Sequence, residues 1–173
     1  MIKWYRIILY VIVFLLLQTL VMNNIHLFGM VTPFIYLYAL LKLPVTVTRS
    51  STILLSFFFG LAIDLFSNTF GIHAAACSFF GFIRNPLLGQ FVDTKELPDG
   101  SIPSYRLFGF GHFFRYTLIM VTIHHVVLFS VESFGFFQPK LMFMRMMSSI
   151  LLTSLLLFII EAFNPEKVKY GEG

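Results

Sequence analysis

The sequence predicts an all-α integral membrane protein, a polytopic bundle of about six transmembrane helices. Of its 173 residues, 58% are hydrophobic and only 12% are charged, whereas a soluble domain is about 45–50% apolar and about 25% charged. Phenylalanine alone accounts for 23 residues. Such a chain has too few polar side chains to form a wettable surface, and its long apolar runs, separated by polar connectors, are typical of membrane-spanning helices.

Six apolar runs, taken in chain order, predict the spans. Within one polytopic domain of residues 1–163, we place them at about 5–22, 29–42, 52–66, 72–91, 112–131 and 141–162. The first run follows Lys3 and Arg6 but lacks a small-residue cleavage pattern, so we interpret it as a retained span. A polar loop at 92–111 and a polar tail at 164–173 are predicted to lie in the cytoplasm.

The second run is too short for an ordinary span. A helix over residues 29–42 would be about 21 Å long, whereas the hydrocarbon core is about 30 Å thick. Pro33 lies near the start of the run, where a missing N–H group is tolerated. The run can therefore be a tilted helix, a helix that locally thins the bilayer, or a partly re-entrant segment.

The distribution of basic residues predicts the orientation. With six spans and a cytoplasmic N-terminus, only Lys140 and Arg145 among the twelve basic residues lie outside. The positive-inside rule therefore predicts that both termini are cytoplasmic. A five-span arrangement with a re-entrant second run would place Lys3 and Arg106 on opposite faces, which this bias disfavours.

Composition and motifs argue against several function classes. The basic residues are scattered and form no stripe for nucleic acid, and the single cysteine, Cys77, excludes an intramolecular disulfide. His124 and His125 point about 100° apart on a helix, so we expect no metal site and expect one of them to hydrogen-bond across helices. Nucleophile, zinc and phosphate-binding motifs are absent from the sequence. We therefore expect neither catalysis nor a cofactor.

The stretch from Gly60 to Arg84 carries the most information. Gly60 and Asp64 are four residues apart and share one helix face. A carboxylate near the bilayer interior costs about 2.5–3.5 kcal/mol on insertion scales, so Asp64 requires a partner or a function. Either it accepts hydrogen bonds from the following turn or caps the next helix near Gly71, or it takes part in substrate binding, proton movement or a partner contact.

Two further groups are candidates for specific roles. Arg84 and Arg115 lie near the inner ends of their spans, where we expect their guanidinium groups to snorkel to the lipid headgroups. The methionine-rich run at the start of the sixth span is a candidate for an adaptable partner contact. Its residues are Met142, Met144, Arg145 and Met146.

This pattern resembles the rod shape-determining protein MreD family of bacteria. The specific part is G-x-x-x-D at Gly60 and Asp64, then LFSNTFGIHA with Gly71, and a small-residue helix that ends at Arg84. Chain length, span count and basic termini agree over essentially the whole chain. The mixed-charge loop at 92–111 departs from the family pattern.

The resemblance implies a non-enzymatic inner-membrane component of the cell-elongation complex, with a fold similar to the substrate-binding subunits of energy-coupling-factor transporters. It implies binding to the single-span protein MreC and, through it, a link to MreB, RodA and a class B penicillin-binding transpeptidase. The family offers no catalytic residue to carry over, and the four matching residues are expected to pack helices. Because the fold is shared, a vitamin-binding transporter subunit is the alternative.

Overall fold

The computed structural model describes residues 4–22, 31–94, 97–133 and 138–164. In these ranges the regular secondary structure is helical and contains no strand. Three of the described helices are long and apolar enough to cross a membrane. The all-helical class is therefore confirmed for the described residues, and the three apolar helices indicate a membrane protein.

Seven α-helices form the described part of the chain. They are α1 (Trp4–Leu16), α2 (Leu37–Leu41), α3 (Arg49–Ser67), α4 (Ile72–Phe91), α5 (Tyr105–Phe108), α6 (Phe110–Glu132) and α7 (Pro139–Phe163). A π-helical turn, Leu17–Val21, follows α1 directly. Helices α3, α6 and α7 are the three that satisfy the length and hydropathy of a span, and each is about 28 to 38 Å long.

Five of the six predicted runs lie on helices. Helices α3, α6 and α7 contain the runs predicted at 52–66, 112–131 and 141–162. Helix α4 coincides with the run at 72–91. Helix α1 and its π-helical turn together cover most of the run at 5–22. The connector at 23–28, Lys95 and the tail after Asn164 lie outside the described residues.

The second run differs from the expected helix. Within residues 31–47, which we call the central segment, only the five residues of α2 are α-helical. Residues 33–45 are all buried. Buried non-helical backbone needs hydrogen-bond partners within the protein, so the run depends on the helices around it.

Helices α3 and α4 form a hairpin whose turn needs left-handed backbone. Thr48 caps the start of α3 by accepting a hydrogen bond from the Ser51 N–H at 3.3 Å. Asn68 ends α3 at φ 54°, and Gly71 precedes α4 at φ 77°. Asparagine and glycine are the residues that adopt this conformation most readily, so the turn is specified locally.

Close contact between the hairpin helices requires glycine. A Cβ atom on Gly60 would lie 2.5 Å from the carbonyl oxygen of His73 and 2.7 Å from the Cα of Ala74. Farther along the hairpin, a Cβ on Gly81 would lie 2.8 Å from the Ser56 hydroxyl oxygen. Glycine thus lets the α3 and α4 backbones approach at two levels, as small residues do between helices in membranes.

The long helices turn apolar side chains outward. Leu54, Phe58 and Leu65 of α3 and Leu151 and Leu155 of α7 are each at least 57% exposed. Exposed apolar surface of this extent marks a membrane or protein contact. Combined with the hydropathy of α3 and α7, it indicates contact with lipid.

Gly60→Ala should destabilise the protein, because the new methyl group would meet backbone atoms of α4 and force the hairpin apart. We expect a loss of about 1–3 kcal/mol in the free energy of unfolding, measured by circular dichroism in mixed detergent micelles. Gly89→Ala is the matched control, since its Cβ would meet nothing within 4 Å. Equal stability of the two variants would contradict the close packing at Gly60.

Candidate functional site

Side chains from two helices hold one half of the central segment. The Gln18 amide donates to the carbonyl oxygen of Pro33 at 3.0 Å. On α7, the Thr153 hydroxyl accepts from the Phe34 N–H at 3.1 Å, and the Ser149 hydroxyl, one turn earlier, accepts from another N–H of the segment at 3.3 Å. Polar residues in otherwise apolar helices therefore replace the hydrogen bonds that a continuous helix would have made.

Helix α4 holds the other half of the segment. The Arg84 guanidinium donates to the carbonyl oxygen of Leu43 and lies 3.5 Å from that of Leu41. Its other terminal nitrogen donates to the Asn85 side-chain oxygen at 3.2 Å, and the Asn85 amide donates to the Val47 carbonyl oxygen at 2.9 Å. Arg84 and Asn85, which are consecutive in α4, thus bind the backbone on the two sides of the turn at residues 45–46, just before α3.

The expectation that Arg84 snorkels to the lipid headgroups is wrong. The Arg84 side chain is fully buried, whereas Arg115, for which the same behaviour was expected, is exposed. The difference arises because the non-helical segment offers carbonyl acceptors to Arg84 inside the protein. Sequence position alone cannot distinguish the two arginines, since both lie near the predicted inner end of an apolar run.

A buried ion pair joins the central segment to the end of α7. The Lys42 ammonium lies 2.7 Å from a Glu161 carboxylate oxygen, with side chains only 1% and 4% exposed. Lys42 also donates to the Pro103 carbonyl oxygen at 2.9 Å, and the Tyr38 hydroxyl donates to Glu161 at 2.7 Å. The Asn164 amide donates to Tyr38 at 2.9 Å. We call these five residues the Glu161 cluster.

Asp64, near the end of α3, binds the beginning of α4. This contact lies at the turn of the hairpin, at the opposite end of α4 from Arg84. Its carboxylate accepts from the backbone N–H groups of His73 at 3.1 Å and Ala74 at 2.8 Å. The same carboxylate accepts from the Thr69 hydroxyl and lies 3.0 Å from the His73 ring nitrogen Nδ1. Both contacts of the structural interpretation, the turn and the helix cap, are present in the structure.

Both adjacent histidines hydrogen-bond across helices, where the sequence predicted one. His124 Nε2 lies 2.8 Å from the Tyr36 hydroxyl and 3.9 Å from the Cys77 sulfur. His125 donates from Nδ1 to its own helix backbone at 2.8 Å, so its Nε2 accepts from the Thr153 hydroxyl at 3.3 Å. Among the described residues, no group of three histidine, cysteine or acidic side chains is placed to hold a metal ion.

Aromatic rings of the central segment lie against these histidines. The Phe34 ring centroid is 5.2 Å from that of His125 and 6.0 Å from that of His73. The Tyr36 ring centroid is 5.5 Å from that of His124. Side chains of the protein itself therefore pack the region between α4, α6 and the segment.

The methionine-rich run lies apart from these polar clusters, at the beginning of α7. Met144 is 54% exposed, whereas Met142 and Met146 are partly buried against the core. Arg145 is partly buried. The run therefore contributes both to the outer surface of the helix and to the packing around the core.

Sequence reasoning did not identify the groups that hold the central segment. Gln18 and Glu161 were visible as isolated polar residues of apolar runs, which is the signal of an intramembrane contact. Their partners were not visible, because Tyr38 and Glu161 are 123 residues apart in the chain.

Comparison of the chain with protein-family models, curated proteins and solved structures finds no match.

Asp64→Ala should destabilise the protein more than Asp64→Asn, because the amide keeps one oxygen acceptor for the turn and the start of α4. Loss of a helix cap costs about 0.5–2 kcal/mol, and alanine also leaves buried donors unpaired. Unfolding titrations of both variants in mixed micelles measure the difference. Equal and severe loss in both would indicate that the negative charge itself is required.

Removing one charge of the Lys42–Glu161 pair should be worse than removing both. Lys42→Met leaves the buried carboxylate without its counter-charge, and Glu161→Gln does the same to the ammonium, at a cost of about 3–5 kcal/mol. The double variant keeps an acceptor for Tyr38 and should be more stable than either single variant. A double variant whose loss equals the sum of the two would show that the ion pair contributes no coupling.

Proposed function

We propose that the chain is a non-enzymatic scaffold of the MreD family in the bacterial inner membrane. It binds an MreC-like single-span protein and helps to direct lateral peptidoglycan synthesis and cell shape. The observation that carries the proposal is the hairpin from Gly60 to Arg84, where the sequence resembles that family. Gly60 packs against α4, Asp64 caps α4, Gly71 makes the turn and Arg84 binds the central segment.

We further infer a multi-pass topology of six crossings with both termini in the cytoplasm. Helix α4 is 20 residues long, enough for about 30 Å, and its polar residues His73 and Arg84 are buried within the protein. Helix α1 with its π-helical turn supplies another crossing, and the central segment returns the chain inside the bundle. Reporter fusions that place the 92–111 loop outside would overturn this orientation.

The bonding of the polar residues supports a scaffold. The carboxylates of Asp64 and Glu161 accept hydrogen bonds from backbone or side-chain donors of the chain itself. The imidazoles of His124 and His125 bond to hydroxyl groups of neighbouring segments. Groups engaged in this way stabilise the arrangement of the helices. In this proposal the outer surfaces of the chain bind the MreC-like partner. MreB, RodA and the class B transpeptidase are linked to the chain indirectly, through that partner.

One observation favours a second function, the vitamin-binding subunit of an energy-coupling-factor-type transporter. Interrupted helices at membrane depth often form substrate sites in transporters, and the central segment is non-helical there. Against it, the rings of Phe34 and Tyr36 pack between the histidines. A vitamin that co-purifies tightly with the protein would favour this alternative over the scaffold.

Affinity purification from detergent-solubilised native membranes tests the scaffold. We expect an MreC-like single-span protein to co-purify, and we expect depletion of the chain to make rod-shaped cells wider with mislocalised wall incorporation. Purification of an unrelated polytopic protein from the same membranes is the control. Unchanged cell width and wall incorporation after depletion would refute the proposal.

A further inference from the structure

Helix α3 is long and apolar enough to cross a membrane, and only its first turn carries exposed polar side chains. These belong to Thr48, Arg49, Ser50 and Ser51. A turn with an exposed arginine and several hydroxyl groups belongs in the headgroup layer. From Thr52 to Ser67, its last residue, the rest of α3 is about 24 Å long, whereas the hydrocarbon core is about 30 Å thick. The α3–α4 turn therefore reaches only the opposite boundary of the hydrocarbon and does not extend into the water beyond it.

The side chains at this turn are apolar and exposed. Phe70 is 99% exposed, and Leu65 and Phe66 at the end of α3 are 77% and 65% exposed. Leu65 continues the exposed stripe of Leu54 and Phe58, since these positions share one face of α3. Residues 65–72 contain no charged side chain, so no ionised group opposes entry of the turn into lipid. Because this surface is continuous with the lipid-facing stripe of a span, lipid is the occupant that fits it.

Polar groups of the turn bond within the chain. The N–H groups of Asn68 and Thr69 donate to the Asp64 carbonyl oxygen. The Asp64 carboxylate accepts from the N–H groups of His73 and Ala74 at the start of α4. These donors need no water, which backbone at the edge of the hydrocarbon cannot rely on. The Asn68 side chain is exposed and polar, and headgroups at the boundary offer it hydrogen bonds.

We propose that the α3–α4 turn is embedded at the boundary of the lipid bilayer, with Phe70 inserted among the acyl chains as an anchor that fixes the depth of the hairpin. We call Leu65, Phe66 and Phe70 the Phe70 surface, and its partner is membrane lipid. The inference depends on the membrane location of α3 and goes beyond the proposed scaffold, because it requires no other protein.

The anchor also accounts for the bonding of Asp64. This residue lies four positions before Asn68, which is about 6 Å along the helix axis. With the turn at the boundary, the carboxylate lies within the hydrocarbon, where an ionised group is costly. Donors of the turn and of α4 take the place of water at this depth.

Tryptophan fluorescence of the purified chain in vesicles of phosphatidylcholine and phosphatidylglycerol tests the depth of the turn. Trp4 is the one tryptophan of the sequence, so Trp4→Phe removes the background signal. In that variant, phospholipids brominated on their acyl chains should quench Phe70→Trp at least about half as strongly as Phe58→Trp, which reports from the lipid-facing stripe. Asp99→Trp, at an exposed position of the 92–111 loop, is the control for water and should be quenched by acrylamide alone.

A second reporter tests whether Phe70 sets the depth. With Phe66→Trp as the reporter, Phe70→Asp should draw the turn toward water and raise acrylamide quenching about twofold, because a carboxylate in hydrocarbon is costly. Phe70→Leu is the matched control and should leave the quenching unchanged, since it keeps an apolar side chain. Equal quenching in the two variants would show that Phe70 does not fix the depth. The Phe70→Trp measurement remains decisive if Phe70→Asp does not fold.

The outcomes of the first measurement are distinct. If acrylamide quenches Phe70→Trp as strongly as Asp99→Trp, the turn lies in water and the inference is wrong. If neither quencher reaches Phe70→Trp, protein covers the Phe70 surface and the inference is again wrong. The vesicles contain no second protein, so the lipid anchor can stand where the scaffold proposal fails, and the scaffold can stand where the anchor fails.

Discussion

The structure depends on hydrogen-bonding the buried, non-helical backbone of the central segment. Buried polar groups are out of reach of water, so each polar group of that backbone needs a partner within the protein. Gln18 of the π-helical turn after α1, Thr153 of α7 and Arg84 of α4 are three of the side chains that supply them. Burying these polar side chains in independent helices would cost free energy. Here the cost is offset, because each side chain forms a hydrogen bond with the same buried segment.

The α3–α4 hairpin and the central segment are coupled through His73. Asp64 fixes the start of α4 by accepting from its backbone, and it also lies within hydrogen-bonding distance of the His73 ring. That ring packs against Phe34 of the central segment. A change in the turn would therefore reach the segment directly. Gly60 and Asp64, four residues apart on one face of α3, thus belong to one packed unit with the start of α4 and the central segment.

The distribution of polarity bears on function. Inside, ionisable groups such as Lys42 and Glu161 bond to each other and to nearby backbone. Outside, α3 and α7 present leucine, phenylalanine and methionine. An interior bonded in this way holds helices in place, and an apolar exterior meets lipid or other membrane proteins. In the proposed scaffold, contacts with a partner therefore fall on these apolar outer faces.

The sequence by itself determined the membrane class, the long helices and the hairpin that holds Asp64. These follow from hydropathy, helical spacing and turn chemistry, which are properties of neighbouring residues. Only the tertiary structure decided that residues 31–47 are largely non-helical, that Arg84 is buried and that Lys42 pairs with Glu161. The physical reason is that the hydrogen-bond partners of buried polar groups come from distant parts of the chain. A polar residue in an apolar run shows that a partner is needed, and folding alone decides which group provides it.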